Sequence, residues 1–246
     1  MKDNFSNASH LYAKYRPVYP AEMLRFIVSL VKENNQAWDC GTGNGQVAQV
    51  LSEYFTTVQA TDISTQQIQQ AAPNNKIVYS VSRAELTTFP DNSFDLITVA
   101  QAIHWFDFDL FYAEVKRTAK PEAILAVFGY GFFQISSEVD AIITEFYDSV
   151  IGVYWDYERR YLDENYQTIP FPFHEISHED FKMELNWTAE QILGYLETWS
   201  AVKHYQKAHQ KNPLDLIRTE LKQVLSRKEH HKVVFPIFLR LARIEK

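Results

Sequence analysis

Apolar positions in the first half of the chain fall into short runs separated by segments with helical spacing. The runs are "QAWDC" (36–40), "TTVQATD" (56–62), "KIVYSVS" (76–82), "FDLITVA" (94–100) and "AILAVFGY" (123–130). Strand-length runs alternating with helices are the mark of βα units around a mostly parallel sheet. Leu24, Ile27, Val28 and Val31 predict an amphipathic helix before the first run, opened by Pro20 and Ala21. Val47, Val50, Leu51 and Tyr54 predict another between the first two runs. After the second run, Ser64 is a good N-cap, and Gln67 three residues later completes the pattern of a capping box.

Beyond Gly131 the rhythm changes. "EVDAIITEFYDSVIGVYW" predicts one long helix, and "DYERRYLDENYQTIPFPF" reads as irregular, aromatic and punctuated by proline. "FKMELNW" alternates like a strand, "TAEQILGYLETWSAV" is helical, and Asn212 with Pro213 opens a helix whose stripe is Leu214, Ile217, Leu221 and Val224. "KVVFPIFLRLARIEK" predicts a last strand returning to the sheet. Residues 1–132 are therefore expected to form a nucleotide-binding core with an N-terminal lid segment. Residues 133–246 are expected to add cap helices and the last sheet strands to the same domain.

A length of 246 residues suits one large domain, and 46% hydrophobic with 22% charged residues is ordinary for a soluble globular chain. The first twenty residues hold no apolar stretch of signal-peptide type, and "AILAVFGYGFF" is far short of a membrane span. A single cysteine, Cys40, allows no intrachain disulfide and suits a reducing compartment. A soluble cytoplasmic protein with no membrane partner is expected; nothing in the residues reports an oligomeric state. The net charge of −7 is uneven: residues 201–246 carry +7 and the remainder −14. A basic segment of this kind is either a solvated helix face or a hold on an anionic partner such as RNA, while the acidity of the whole argues against nonspecific nucleic-acid binding.

Three of the seven glycines lie in "DCGTGNGQ" (39–46), between the first run and its helix. A glycine turn there lets backbone approach a ligand and aims helix N–H groups at it. The dinucleotide fingerprint G-x-G-x-x-G is not met, because Gln46 stands where its third glycine belongs. With Asp39 ahead of Gly41, Gly43 and Gly45, the pattern D-x-G-x-G-x-G resembles motif I of the class I S-adenosylmethionine-dependent methyltransferases. Asp62, at the end of the second run, is placed to accept both ribose hydroxyl hydrogens. "RAE" after the third run and "PDNSFDL" leading into the fourth are similar to methyltransferases of the type 11 group. "YAKYRPVYP", "AQAIHWFDFDLFYAEVKR", "NYQTIPFPF" and "ETWSAVKHYQK" extend the likeness to trans-aconitate methyltransferase-like enzymes over nearly the whole chain.

The resemblance implies an α/β fold of the Rossmann-like class I methyltransferase type, with a mostly parallel seven-stranded sheet, helices on both faces and a helical cap in the C-terminal half. It implies S-adenosylmethionine as cofactor, with S-adenosylhomocysteine as product, and it places Asp39, Gly41, Thr42, Gly43, Gly45, Asp62, Ile63, Ala84, Glu85, Ala100 and Gln101 around the cofactor. The implied reaction is methyl transfer to a small-molecule acceptor, with a carboxylic acid favoured. An RNA or other macromolecular methyltransferase, a nicotinamide oxidoreductase and a noncatalytic cofactor-binding protein are the alternatives.

A carboxylate acceptor needs no base, whereas an alcohol or phenol benefits from one. His104, in the motif after the fourth run, is the candidate to hold an anionic acceptor or to take its proton, and Arg16 offers a fork that matches carboxylates. Tyr12, Tyr15 and Tyr19 are expected in the lid, and Trp105 in the substrate wall. Arg159, Arg160, Lys203 and His204 are further anion-binding candidates in the cap, though each taken alone reads as a surface residue. His174-Glu175-Ile176-Ser177-His178 spells the zinc-protease motif H-E-x-x-H, but it follows Pro170 and Pro172 and runs into a strand-like segment, so no metal is expected.

Overall fold

The computed structural model describes Tyr15 and residues 17–246. The five apolar runs become β1 (Gln36–Cys40), β2 (Thr57–Asp62), β3 (Ile77–Val81), β4 (Phe94–Ala100) and β5 (Ala119–Tyr130), mutually parallel where they pair. β6 (Phe181–Trp187) and β7 (His231–Arg243) complete a seven-stranded sheet in the order β3-β2-β1-β4-β5-β7-β6. β7 runs antiparallel to both of its neighbours. The order reverses between β1 and β4, so a crevice opens at the carboxyl ends of those strands, where open α/β sheets bind ligands.

One face of the sheet is covered by α1 (Ala21–Ser29), which buries Met23, Leu24, Ile27 and Val28, and by α2 (Gln46–Leu51). α3 (Thr65–Gln69) follows β2. The opposite face is covered by α4 (Phe108–Thr118), whose Phe111 packs against Trp38 of β1. Asp107 caps α4 by accepting the Leu110 N–H.

Three expectations change. Ser64 does cap α3 through the Gln67 N–H, but no capping box forms. The Ser64 N–H that Gln67 would satisfy is taken by the Asp62 carboxylate at 2.8 Å, and Gln67 Oε1 is buried without a partner. The long helix after Gly131 is interrupted: α5 (Ser137–Glu145) widens into a π turn at Phe146–Val150 and then a 3-10 turn at Gly152–Tyr154. The wider turn accompanies burial of Phe146 against Trp199, while the neighbouring Tyr147 packs on Trp155. The helix expected through "TAEQILGYLETWSAV" is two, α7 (Ala189–Glu197) and α8 (Ser200–His209), with the short α6 (Arg160–Asp163) earlier in the chain. They separate because Thr198 bonds back to the Tyr195 carbonyl and Trp199 turns extended to bury its indole. A 3-10 turn at Pro213–Leu216, capped by Asn212, leads into α9 (Arg218–Leu225).

The basic C-terminal segment meets the chain's own acids. Arg218 pairs with Glu197 (3.0 Å), Arg227 with Glu138 (2.5 Å), Lys232 with Glu184 (2.8 Å) and Arg240 with Glu175 (2.6 Å). The H-E-x-x-H stretch is extended rather than helical, so its histidines do not share a helix face; Glu175 forms a β-bridge to Ala242. Among the described residues no helix is long and apolar enough to cross a membrane.

Candidate active site

The glycine loop leaves β1 with all three glycines at positive φ: 69° at Gly41, 58° at Gly43 and 85° at Gly45. Each has a different neighbour. A Cβ on Gly41 would lie 2.5 Å from that of Ala102, in the segment after β4, and one on Gly45 would overlap the Tyr79 hydroxyl. A Cβ on Gly43 would meet no described atom within 4 Å. Gly41 and Gly45 are thus small because protein packs on them, whereas Gly43 faces open space of the kind a ligand needs. Asp62 supports that loop from β2: its Oδ2 accepts the Gly43 N–H at 2.9 Å and its Oδ1 the Ser64 N–H.

Asp39 sits beneath the loop, buried, accepting hydroxyl hydrogens from Thr42 (2.5 Å) and Thr98 (2.8 Å). Burial pushes its carboxyl up to about 6, against the opposing pull of those two bonds. Thr42 also donates its N–H to the Thr61 carbonyl, tying the loop to β2. Ile63 is half-buried beyond β2, between Asp62 and Ser64. After β3, Ala84 and Glu85 are both buried; Glu85 accepts from Arg83 and from the N–H of Asp107, so it ties this turn to the start of α4. After β4, the half-buried Ala100 is followed by Gln101 at a positive φ of 53°. Two bonds fix Gln101 there, its N–H to the Phe128 carbonyl and its Nε2 to that of Tyr130.

His104 lies in a 3-10 turn, Ile103–Trp105, and is 5% exposed. Its Nδ1 is 2.8 Å from the Tyr166 hydroxyl, and the Trp105 ring lies 5.0 Å away. Burial, with the Arg159 cation adding to it, lowers its pKa to about 3. The imidazole is therefore neutral at physiological pH. In that form it offers an anion a hydrogen bond rather than a charge, and so low a pKa makes it a weak base. Of the two roles expected of His104, holding an anionic acceptor through a neutral hydrogen bond agrees with this placement better than taking its proton.

Tyr166 reaches it from a strained backbone. Asn165 and Tyr166 have φ of 51° and 60°, and Tyr166 is fully buried. Arg240 of β7 holds that turn by donating to the Tyr166 and Ile169 carbonyls, so "NYQTIP" is a support for His104, a role its lack of periodicity hid.

The lid tyrosines separate. Tyr12 and Arg16 lie outside the described residues. Tyr15 packs its ring where a Cβ on Gly194 of α7 would stand, 2.6 Å from Cζ. Tyr19 is a core residue rather than a lid: it is 8% exposed and edge-on to Phe128 at 4.8 Å. Arg159 is also misjudged as surface. Its guanidinium lies 4.9 Å from the Trp155 ring centroid and 5.6 Å from that of Tyr147.

A doubly wound sheet with a glycine loop at its switch point, a carboxylate closing β2 and a buried aromatic cluster beyond β4 defines a nucleotide-cofactor enzyme. Residues 38–127 match the family model described as "Methyltransferase domain". A Dictyostelium discoideum protein named as a methyltransferase is 32% identical, covering 99% of this chain and 95% of its own. CRG1 of Saccharomyces cerevisiae, named as an S-adenosylmethionine-dependent methyltransferase, is 25% identical over 69% of this chain and 60% of that protein. A solved structure of a type II methyltransferase from Anaeromyxobacter dehalogenans shares 37% identity and covers 94% of this chain and 99% of its own, with a TM-score of 0.86. The chain belongs to the class I S-adenosylmethionine-dependent methyltransferases. The open space at Gly43 and the carboxylate of Asp62 beside it fit that cofactor.

Proposed function

We propose that this enzyme methylates the carboxylate of a small-molecule acceptor, in keeping with the trans-aconitate methyltransferase-like motifs it resembles. The observation that carries this reading is the buried His104, kept neutral and tied to Tyr166. An alcohol or phenol would call on a base with a pKa near the working pH. A carboxylate arrives already ionised and needs only to be held and aligned.

S-adenosylmethionine supplies a methyl group on a cationic sulfonium, open to displacement by an oxygen in line with the carbon–sulfur bond. The chain's contribution is positional, and alignment of this kind is worth up to about 7–11 kcal/mol in well-oriented systems. The glycine loop gives the cofactor backbone-level approach at Gly43, and Asp62 offers acceptor oxygens for ribose hydroxyls. In this reading the Tyr166 hydroxyl donates to His104 Nδ1, so Nε2 keeps its proton as a neutral donor to the acceptor. Trp105 walls the pocket beside it.

An acceptor screen with isotopically labelled cofactor, read by mass spectrometry, tests the reading. The expected product is a base-labile methyl ester, and turnover stays flat with pH above the acceptor's own pKa. A methyl ether or methylamine product would show that a different acceptor class is used.

A further inference from the structure

The 3-10 turn Tyr157–Arg159 packs against the turn that carries His104, close enough for the Arg159 cation to act on the imidazole. The arginine side chain is 22% exposed and is fixed from one edge only. Its Nε donates to the Tyr147 hydroxyl (3.0 Å) and to Asp163 Oδ1 (3.2 Å). Neither Nη atom has a hydrogen bond among the described residues, and the ion pair with Asp163 is closest at Nε. Arg240, the comparable half-buried cation, spends Nη1 on two carbonyls and Nη2 on Glu175. The indole Nε1 of Trp155, against whose ring Arg159 lies, is likewise buried without a partner.

Two donor groups without a hydrogen-bond partner among the described residues meet here, the Nη edge of Arg159 and the Trp155 N–H, while Asp163 is engaged on the Nε edge. Donors left unpaired beside aromatic walls are costly, and an anion that accepts from them removes the cost. A guanidinium with its outer fork free matches a carboxylate in two parallel bonds, and the partly desolvated surroundings strengthen the attraction.

Building on the carboxylate reading above, we propose that Arg159 holds the anionic group of the acceptor through its Nη fork and selects acids over neutral analogues. Asp163 and Tyr147 orient the guanidinium from its Nε edge, and Trp155 stacks beneath it.

The test uses protein saturated with S-adenosylhomocysteine and, as probes, benzoate, succinate and tricarballylate, each beside its carboxamide. Calorimetry is expected to show binding of at least one acid and none of the amides. Arg159→Gln is expected to weaken that acid by roughly tenfold or more, the scale of losing charge-assisted bonds. Its affinity for S-adenosylhomocysteine and its melting temperature report whether the site and fold survive. Arg159→Lys, which keeps the charge without the fork, is expected to weaken the acid by about threefold or more and decides the matter if the glutamine variant does not fold. Wild-type protein that binds no acid, or a folded variant with unchanged acid affinity, overturns the role of Arg159. Ester product formed by Arg159→Gln with an unchanged KM overturns it while leaving the carboxylate reading intact. A methyl ether or amine product from the wild type overturns the carboxylate reading itself.

Discussion

At Asp39 burial and hydrogen bonding act on one carboxyl group in opposite directions, and burial wins, raising its pKa from 3.8 to about 6. Below about pH 3 the group is protonated folded or unfolded, so it contributes no pH dependence. As pH rises from there, the unfolded chain ionises while the folded one resists, and stability falls until about pH 6. Asp39→Asn does not titrate there. Its stability relative to wild type should therefore rise between pH 3 and pH 7 by about 3 kcal/mol, at about 1.36 kcal/mol per unit. Urea unfolding of both proteins without cofactor at the two pH values measures this. Gly43→Val should abolish cofactor binding, because a branched side chain enters the open space and the residue already sits at positive φ. Asp62→Ala should weaken binding by about 1.5–3 kcal/mol; calorimetry checks both. The glycines and Asp62 were legible in the sequence because their roles depend on neighbours in the chain. Arg159 was legible only as one of four candidate cations, since the burial that sets it apart comes from Tyr147 and Trp155 folding onto it.

Among the elements, strands β1 to β4 were legible because each is an apolar run closed by polar turns. The π turn at Phe146–Val150 was not, because a single widened turn leaves a helical pattern nearly unchanged over one period. The break at Thr198 was hidden similarly: apolar spacing continues through it, while the indole of Trp199 decides the geometry from another part of the core. Gly194 shows the same dependence on distant partners. A glycine inside a helix costs about 1 kcal/mol relative to alanine, yet here it makes room for the ring of Tyr15. Gly194→Ala should stabilise a chain lacking residues 1–16 by about that amount, since nothing then opposes the gain. In the full chain the gain should vanish or reverse, because the new methyl displaces Tyr15. Thermal unfolding of the four proteins resolves the coupling, and equal gains in both backgrounds would refute it.

At the scale of the molecule, the segment that carries the methyltransferase signature is not the folding unit. Residues 38–127 contain most of β1, all of β2 to β4 and most of β5, but β5 finds its outer neighbour in β7. A chain ending at residue 230 should accordingly fail to fold, although it keeps every cofactor-binding position named above. Circular dichroism and solubility on expression test this, and a soluble, cooperatively melting fragment would contradict it. The strand count came through family likeness, and the sheet order was not legible at all. Alternation identified β6 and β7 as strands, but which one lies next to β5 depends on pairing across long sequence separations that no local pattern records.

That insertion of β7 between β5 and β6 also has a meaning in time. About 100 residues separate the end of β5 from the start of β7. At a ribosomal rate of about 5–20 residues per second, the open edge of β5 waits roughly 5–20 s for its partner. During that interval "AILAVFGY" is an apolar strand with unpaired backbone, able to recruit an edge from another nascent chain. Slow codons placed between residues 131 and 230 would lengthen the wait without changing one atom of the finished enzyme, and the loss would appear as aggregate on the ribosome's side of folding.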